Sequence, residues 1–196
     1  MASQIVLPVR LLLGEETKNV PIDHLWATWR SIYVRGVGDS RSEVPDGEPD
    51  NGLSLFERIL ASGYPDNETG IIRRESDCFV LLNRFPYTSG HLMVLPNRAV
   101  PNLEDLTQSE HDQLWSLVRD SVVALKDALK CQGVNVGVNL GAVAGGSQAD
   151  HLHVHAVPRW QGDSNFMAVA GETRVLPVGL DEARDAIRDS WPRQSQ

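Results

Sequence analysis

Hydrophobic positions follow two rhythms along this chain. Leu114, Val118, Val122, Leu125 and Leu129 recur every three or four residues, the spacing of an amphipathic helix with one buried face. Thr107 and Glu110 make a Thr-x-x-Glu capping box at its start, and Gly133 is expected to end it. The same period predicts a helix over residues 22–34, opened by Pro21 and carrying Leu25, Trp26, Trp29, Ile32 and Tyr33. Further helices are predicted over 53–61, stopped by Gly63, and over 180–191. Elsewhere the rhythm is that of strands. Residues 70–75 and 78–82 fit a hairpin, and 83–90, with Pro86, Ser89 and Gly90, should turn the chain into a third strand over 91–96. Strands are also predicted over 134–140, over 151–157 with Pro158 as the stop, and briefly over 173–176. Residues 36–52 read as an exposed loop and 141–150 as a flexible one. Strands and helices do not alternate regularly, so the expected fold class is α+β: an antiparallel sheet with helices packed on it.

The strand over 151–157 carries the chemistry. His151, His153 and His155 alternate with Leu152, Val154 and Ala156. Alternate side chains share a face, so one face is apolar and the other is a row of imidazoles about 7 Å apart. Such a row could be a solvated surface. It could share a metal ion, with Asp150 as an added ligand. It could also supply a nitrogen nucleophile tuned by its neighbours. The preceding loop, Gly145-Gly146-Ser147-Gln148, favours the last, because its backbone N–H groups, hydroxyl and amide suit phosphate oxygens. A neutral imidazole beside a phosphate cradle can attack phosphorus and hold the phosphoryl group for a second nucleophile.

Composition narrows the partners. The net charge of −8 argues against a non-specific nucleic-acid binder. The two cysteines, Cys78 and Cys131, form no Cys-x-x-Cys pair and read as buried thiols in a reducing compartment. Residues 5–13 are apolar but interrupted by Pro8 and Arg10, and lack the marks of a signal peptide. No run is long and apolar enough to span a membrane. The expected location is the cytoplasm.

Three segments together resemble the histidine-triad (HIT) family. His151-Leu-His153-Val-His155-Ala-Val is similar to its signature of three histidines separated by apolar residues, LLNRFPYTSGHLMVLP (81–96) to its upstream segment, and VNVGVNLG (134–141) to the strand that supplies an active-site Asn. The resemblance implies an α+β homodimer that binds nucleotides and transfers or hydrolyses nucleoside monophosphates. By that pattern His153 is the nucleophile, with His151, His155 and His91 fixing its tautomer and orientation. Asn83 would hold the ribose hydroxyls, and Asn139, Gly145, Gly146, Ser147 and Gln148 the phosphate. Trp160 would pack against the base, the core or a dimer contact, and Arg159 either meets phosphate or is exposed. His24 and His111 are read as incidental. PRWQGDSNF (158–166) and the N-terminal extension resemble an actinobacterial branch that cleaves diadenosine tetraphosphate (Ap4A) with inorganic phosphate to ATP and ADP. The implied organisation is an N-terminal helix and variable loop over 1–52, the HIT domain over 53–170, and a C-terminal strand and helix over 171–196.

Two departures accompany the resemblance. Many relatives carry a Cys-x-x-Cys zinc site near the first helix, whereas the comparable stretch here, Phe56-Glu57-Arg58-Ile59, has no thiol, so no structural metal is expected. Ser147, followed by Gln148, stands where the pattern often has Gln, which could leave room for an incoming phosphate. No cofactor is expected to bind tightly; Mg²⁺ would arrive with the polyphosphate. Simple hydrolysis, a metal-dependent hydrolase and a nucleotide-binding scaffold without turnover are the competing functions.

Overall fold

The computed structural model describes residues 52–144, 148–164 and 176–192. The helix predicted over 22–34, and the predicted loop of 36–52 and strand of 173–176 apart from Gly52 and Leu176, lie outside them. Five strands, β1 (Ile71–Arg74), β2 (Cys78–Leu82), β3 (Leu92–Pro96), β4 (Gly133–Val138) and β5 (Val154–Arg159), form one sheet in the order β1-β2-β3-β5-β4. Every neighbouring pair is antiparallel. The α-helices among the described residues are α1 (Leu55–Ala61), α2 (Asp66–Thr69), α3 (Gln108–Leu129) and α4 (Leu180–Asp189). This is the α+β class expected from the sequence. Among the described residues no helix is long and apolar enough to cross a membrane.

The long helix α3 lies across one face of the sheet. Its Leu114, Leu117, Val118, Ala124 and Leu125 pack with Cys78, Val80, Leu92, Val94, Val154 and Ala156, and Ile187 of α4 joins the same core. Burying each large aliphatic side chain contributes about 1.5–3 kcal/mol. The predicted stripe therefore holds at 114, 118 and 125, but Leu117, Ser121 and Ala124 are buried while Val122 and Leu129 are only partly so. The Thr107–Glu110 capping box is present. The helix ends earlier than Gly133: Lys130 takes the left-handed conformation (φ 49°), Cys131 is buried in the core, and Gly133 opens β4.

On the other face Phe56 of α1 covers Ile71, Phe79, Leu81, Met93 and Leu95. Strands β2 and β3 are thus buried on both sides, which explains their unbroken apolar sequences. The turn before β3 is tied down at three points. Gly90 has φ 81°, and a Cβ there would collide with Leu129 Cδ1. Ser89 Oγ donates to the Val178 carbonyl at 2.8 Å and accepts the Val178 N–H at 3.1 Å. Thr88 Oγ1 donates to the Pro158 carbonyl at 3.0 Å.

The strand predicted over 151–157 begins instead at Val154 and runs through Pro158 to Arg159. Pairing with β3 has ended by Ala156. Thr88, not β3, meets the Pro158 carbonyl, so the missing N–H falls where no ladder partner is required.

Candidate active site

His151 and His153 occupy the extended segment leading into β5, and His155 lies within the strand. The alternation carries through: Leu152, Val154 and Ala156 enter the α3 core, while the imidazoles gather on the other side. Leu152 N–H donates to the Val100 carbonyl at 2.7 Å, anchoring the segment to the chain beyond β3. Register places Met93 opposite His155, and His91, at the entry to β3, adds a fourth ring. The His153 and His155 rings are 4.9 Å apart and nearly perpendicular, and His91 and His155 are 5.1 Å apart. The rings lean together, well inside the strand-neighbour spacing of about 7 Å.

Hydrogen bonds set each neutral tautomer. The Pro96 carbonyl can only accept, so His151 Nε2 carries the hydrogen in their 2.9 Å contact. His151 Nδ1 is then the acceptor for the Ser54 hydroxyl at 2.7 Å. His153 Nδ1 donates to the His151 carbonyl at 2.8 Å, which leaves the lone pair of His153 on Nε2. The Tyr87 N–H donates to His91 Nδ1 at 3.2 Å, and Asn83 Nδ2 donates to the same atom at 3.2 Å. His91 Nε2–H therefore donates to His155 Nδ1 at 3.0 Å.

Aromatic rings frame the row. Phe56 is edge-on to His151 at 5.4 Å and tilted against His153 at 5.6 Å; Tyr87 lies 4.5 Å from His91 and 5.9 Å from His155.

Burial dominates the electrostatics. It holds His151 below the ordinary imidazole range, against the opposing effects of the Pro96 carbonyl and the Glu57 and Asp150 charges. It holds His153 down as well, partly offset by the His151 carbonyl and Asp150. Both rings are thus neutral at neutral pH. His151 is engaged at both nitrogens and His153 at Nδ1; among the described residues no group of three or more His, Cys, Asp or Glu could hold a metal ion.

Residues 65–162 match the HIT domain family. The chain is 36% identical to the AP-4-A phosphorylase of Mycobacterium tuberculosis over 173 residues, 88% of this chain and 86% of that protein. This chain belongs to the histidine-triad family. It is also 38% identical over 82 residues to the asymmetrical bis(5'-nucleosyl)-tetraphosphatase of Schizosaccharomyces pombe, covering 42% of this chain and 44% of that one. The fold is similar to the crystal structure of a HIT-like protein from Bartonella henselae (TM-score 0.58, 21% identity, 73% of this chain and 99% of that one). It is similar too to a Zn-bound histidine triad family protein from Mycobacterium smegmatis (TM-score 0.58, 23% identity, 70% and 91% covered).

The other residues expected at this histidine-triad site fall into three groups. Asn83 joins the cluster through His91, and its Oδ1 also accepts the Phe85 N–H at 2.9 Å, so it shapes the turn as well. Asn139 follows β4 one residue beyond the Val138–Val154 pair, which puts it level with His153. Gln148 is half-buried, and its carbonyl meets the His151 N–H at 3.4 Å. Trp160 does not join the row: it packs against the α3-side core, because it has the strand parity of Ala156 and not of the histidines. Gly145, Gly146 and Ser147 lie outside the described residues. Arg159 is committed to Asp163 at 2.6 and 2.8 Å and to Asn135 at 2.8 Å. Three residues around the row were not expected from the sequence: Ser54, Phe56 and Tyr87. Only Ser54 left a signal, since Ser54-Leu-Phe-Glu57 is itself a capping box.

Proposed function

We propose that this chain is a nucleotidyltransferase that cleaves Ap4A with inorganic phosphate to ATP and ADP through a nucleotidyl intermediate on His153. The observation that carries the reading is the commitment of His153 Nδ1–H to the His151 carbonyl at 2.8 Å in a buried, neutral ring. That bond directs the free lone pair to Nε2. It also stabilises the positive charge that develops on the ring as Nε2 bonds phosphorus, as an orienting group does for any imidazole nucleophile. In the first step the Nε2–P bond forms and the bond from the α-phosphorus to its bridging oxygen breaks, releasing ATP. In the second, a phosphate oxygen attacks the same phosphorus, the N–P bond breaks, and ADP leaves with His153 neutral again. His151, His155 and His91 hold the row, Asn83 faces the ribose, and Asn139 with residues 145–148 receives the phosphate oxygens. Mg²⁺, where present, travels with the polyphosphate. The likeness to a mycobacterial AP-4-A phosphorylase over most of both chains supports the substrate.

The same reading takes a homodimer in the cytoplasm. Among the described residues β4 has a sheet neighbour on one side only, and its Val136 is 43% exposed. Both thiols are free and buried, as a reducing compartment permits.

The deciding experiment incubates Ap4A with the protein in the presence and absence of phosphate. ATP plus ADP formed only with phosphate, and labelled AMP trapped on the protein before phosphate is added, are expected. ATP plus AMP formed at an equal rate without phosphate would make water the acceptor. Turnover unaffected by His153→Ala would remove the intermediate. No turnover at all would leave a nucleotide-binding scaffold.

A further inference from the structure

We infer that Ser54 and Glu57, the capping box of α1, are positioning residues for the imidazole row, with Ser54 fixing the tautomer of His151. The inference deepens the proposed function, on which the role of the row rests. The ring of His151 is fully buried, and both its nitrogens are held by groups distant in sequence. Pro96, at the end of β3, takes the Nε2 hydrogen through its carbonyl at 2.9 Å. Nδ1 then requires a donor, and the Ser54 hydroxyl at 2.7 Å supplies it. The same hydroxyl oxygen accepts the Glu57 N–H at 3.2 Å, which orients its hydrogen toward the ring.

Glu57 completes the frame. Its carboxylate accepts the Ser54 N–H at 2.8 Å and the Ala99 N–H at 3.0 Å, binding the start of α1 to the segment that follows Pro96. Burial pushes the Glu57 carboxyl up, but the Ala99 and Ser54 N–H groups, with the Ser54 hydroxyl and His151, together hold the group below the ordinary carboxylate range. The start of α1 thus holds His151 at Nδ1 while the end of β3 holds Nε2, and α1 places Phe56 edge-on to the ring. The His151 carbonyl in turn holds His153 Nδ1, so the orientation of the nucleophile passes back to Ser54.

An ordinary N-cap has no need to donate outside its helix. Asp caps a helix as well as Ser, but its ionised carboxylate only accepts. Ser54→Asp therefore keeps the cap and removes the donor. In the full-length protein we expect three results: ¹⁵N shifts of His151 moving away from the Nε2–H tautomer, kcat on Ap4A falling about ten- to hundredfold, as losing a group that orients a functional histidine does, and KM within about twofold. Ser54→Thr, which caps and donates, should restore the rate and the native shifts. Ser54→Ala removes the donor without adding charge and gives the same readout if the Asp variant does not fold. Unchanged His151 shifts in the folded variants, or altered shifts with full kcat, would overturn the inference. A wild-type protein without turnover would instead remove the proposed function, while the His151 shifts alone would still decide whether Ser54 sets the tautomer.

Discussion

At the scale of the residue, the proposed chemistry needs one neutral imidazole nitrogen, and burial provides it. Because His153 is held below the ordinary pKa of about 6.5, its nucleophilic form persists under mildly acidic conditions. The profile of kcat/KM against pH should therefore stay level as the pH falls through about 6.5 and lose close to tenfold per unit only below it. A descent that begins above that value would assign the essential group to something other than a buried imidazole. The facing of the three histidines was legible from their alternation with Leu152, Val154 and Ala156. The same parity places Trp160, which shares the register of the apolar set, against the α3-side core, the packing alternative among those its sequence position left open.

At the scale of the element, two local devices can be tested separately from catalysis. Thr107→Ala removes the side-chain half of the α3 cap and should lower stability by about 1 kcal/mol, read as a drop in Tm of roughly 2–4 °C for a chain of this size, with kcat unchanged. Gly90→Ala should cost more. It meets both a positive φ of 81° and the side chain of Leu129, so it exceeds the ordinary strain penalty of about 1 kcal/mol. Because the same turn carries Tyr87 and Asn83 against His91, Gly90→Ala should lower activity along with Tm; full activity at reduced Tm would uncouple the turn from the row. The existence of these elements was legible from period and capping, and their ends less so. Glycine and proline are reliable breakers only where nothing else compensates. Cys131 drawn into the core ended α3 before Gly133, and a vacant ladder position let β5 run on through Pro158.

At the scale of the whole molecule, stability should respond to acid in two windows. His151 and His153 have folded pKa values below their unfolded ones. Their contribution is present above about 6.5 and is lost as the pH falls toward the lowered values, because the unfolded chain then binds more protons. Glu110 is held at about 2, first by its hydrogen bonds from Arg98 and then by Thr107, against the opposing effect of burial. Its contribution is present above the ordinary value of 4.5 and disappears as the pH descends toward about 2. Acid unfolding followed by circular dichroism should show both declines, and Arg98→Ala should shift the lower one toward 4.5. Cys78, pushed up to about 12 by burial and then by the Asp77 and Glu110 charges, should resist thiol reagents until the fold opens.

The sequence by itself determined the α+β class, the split of the 151–156 segment into an apolar and an imidazole side, and the capping of the long helix. All of these follow from short-range periodicity and from side chains meeting backbone within a turn. The tertiary structure alone decided which nitrogen of each imidazole carries the hydrogen. Ser54 is 97 residues from His151, Pro96 is 55 away, and His91 is 64 from His155. A proton settles according to the donor or acceptor opposite it, and only the packing of α1 and β3 around the histidines brings those groups into reach.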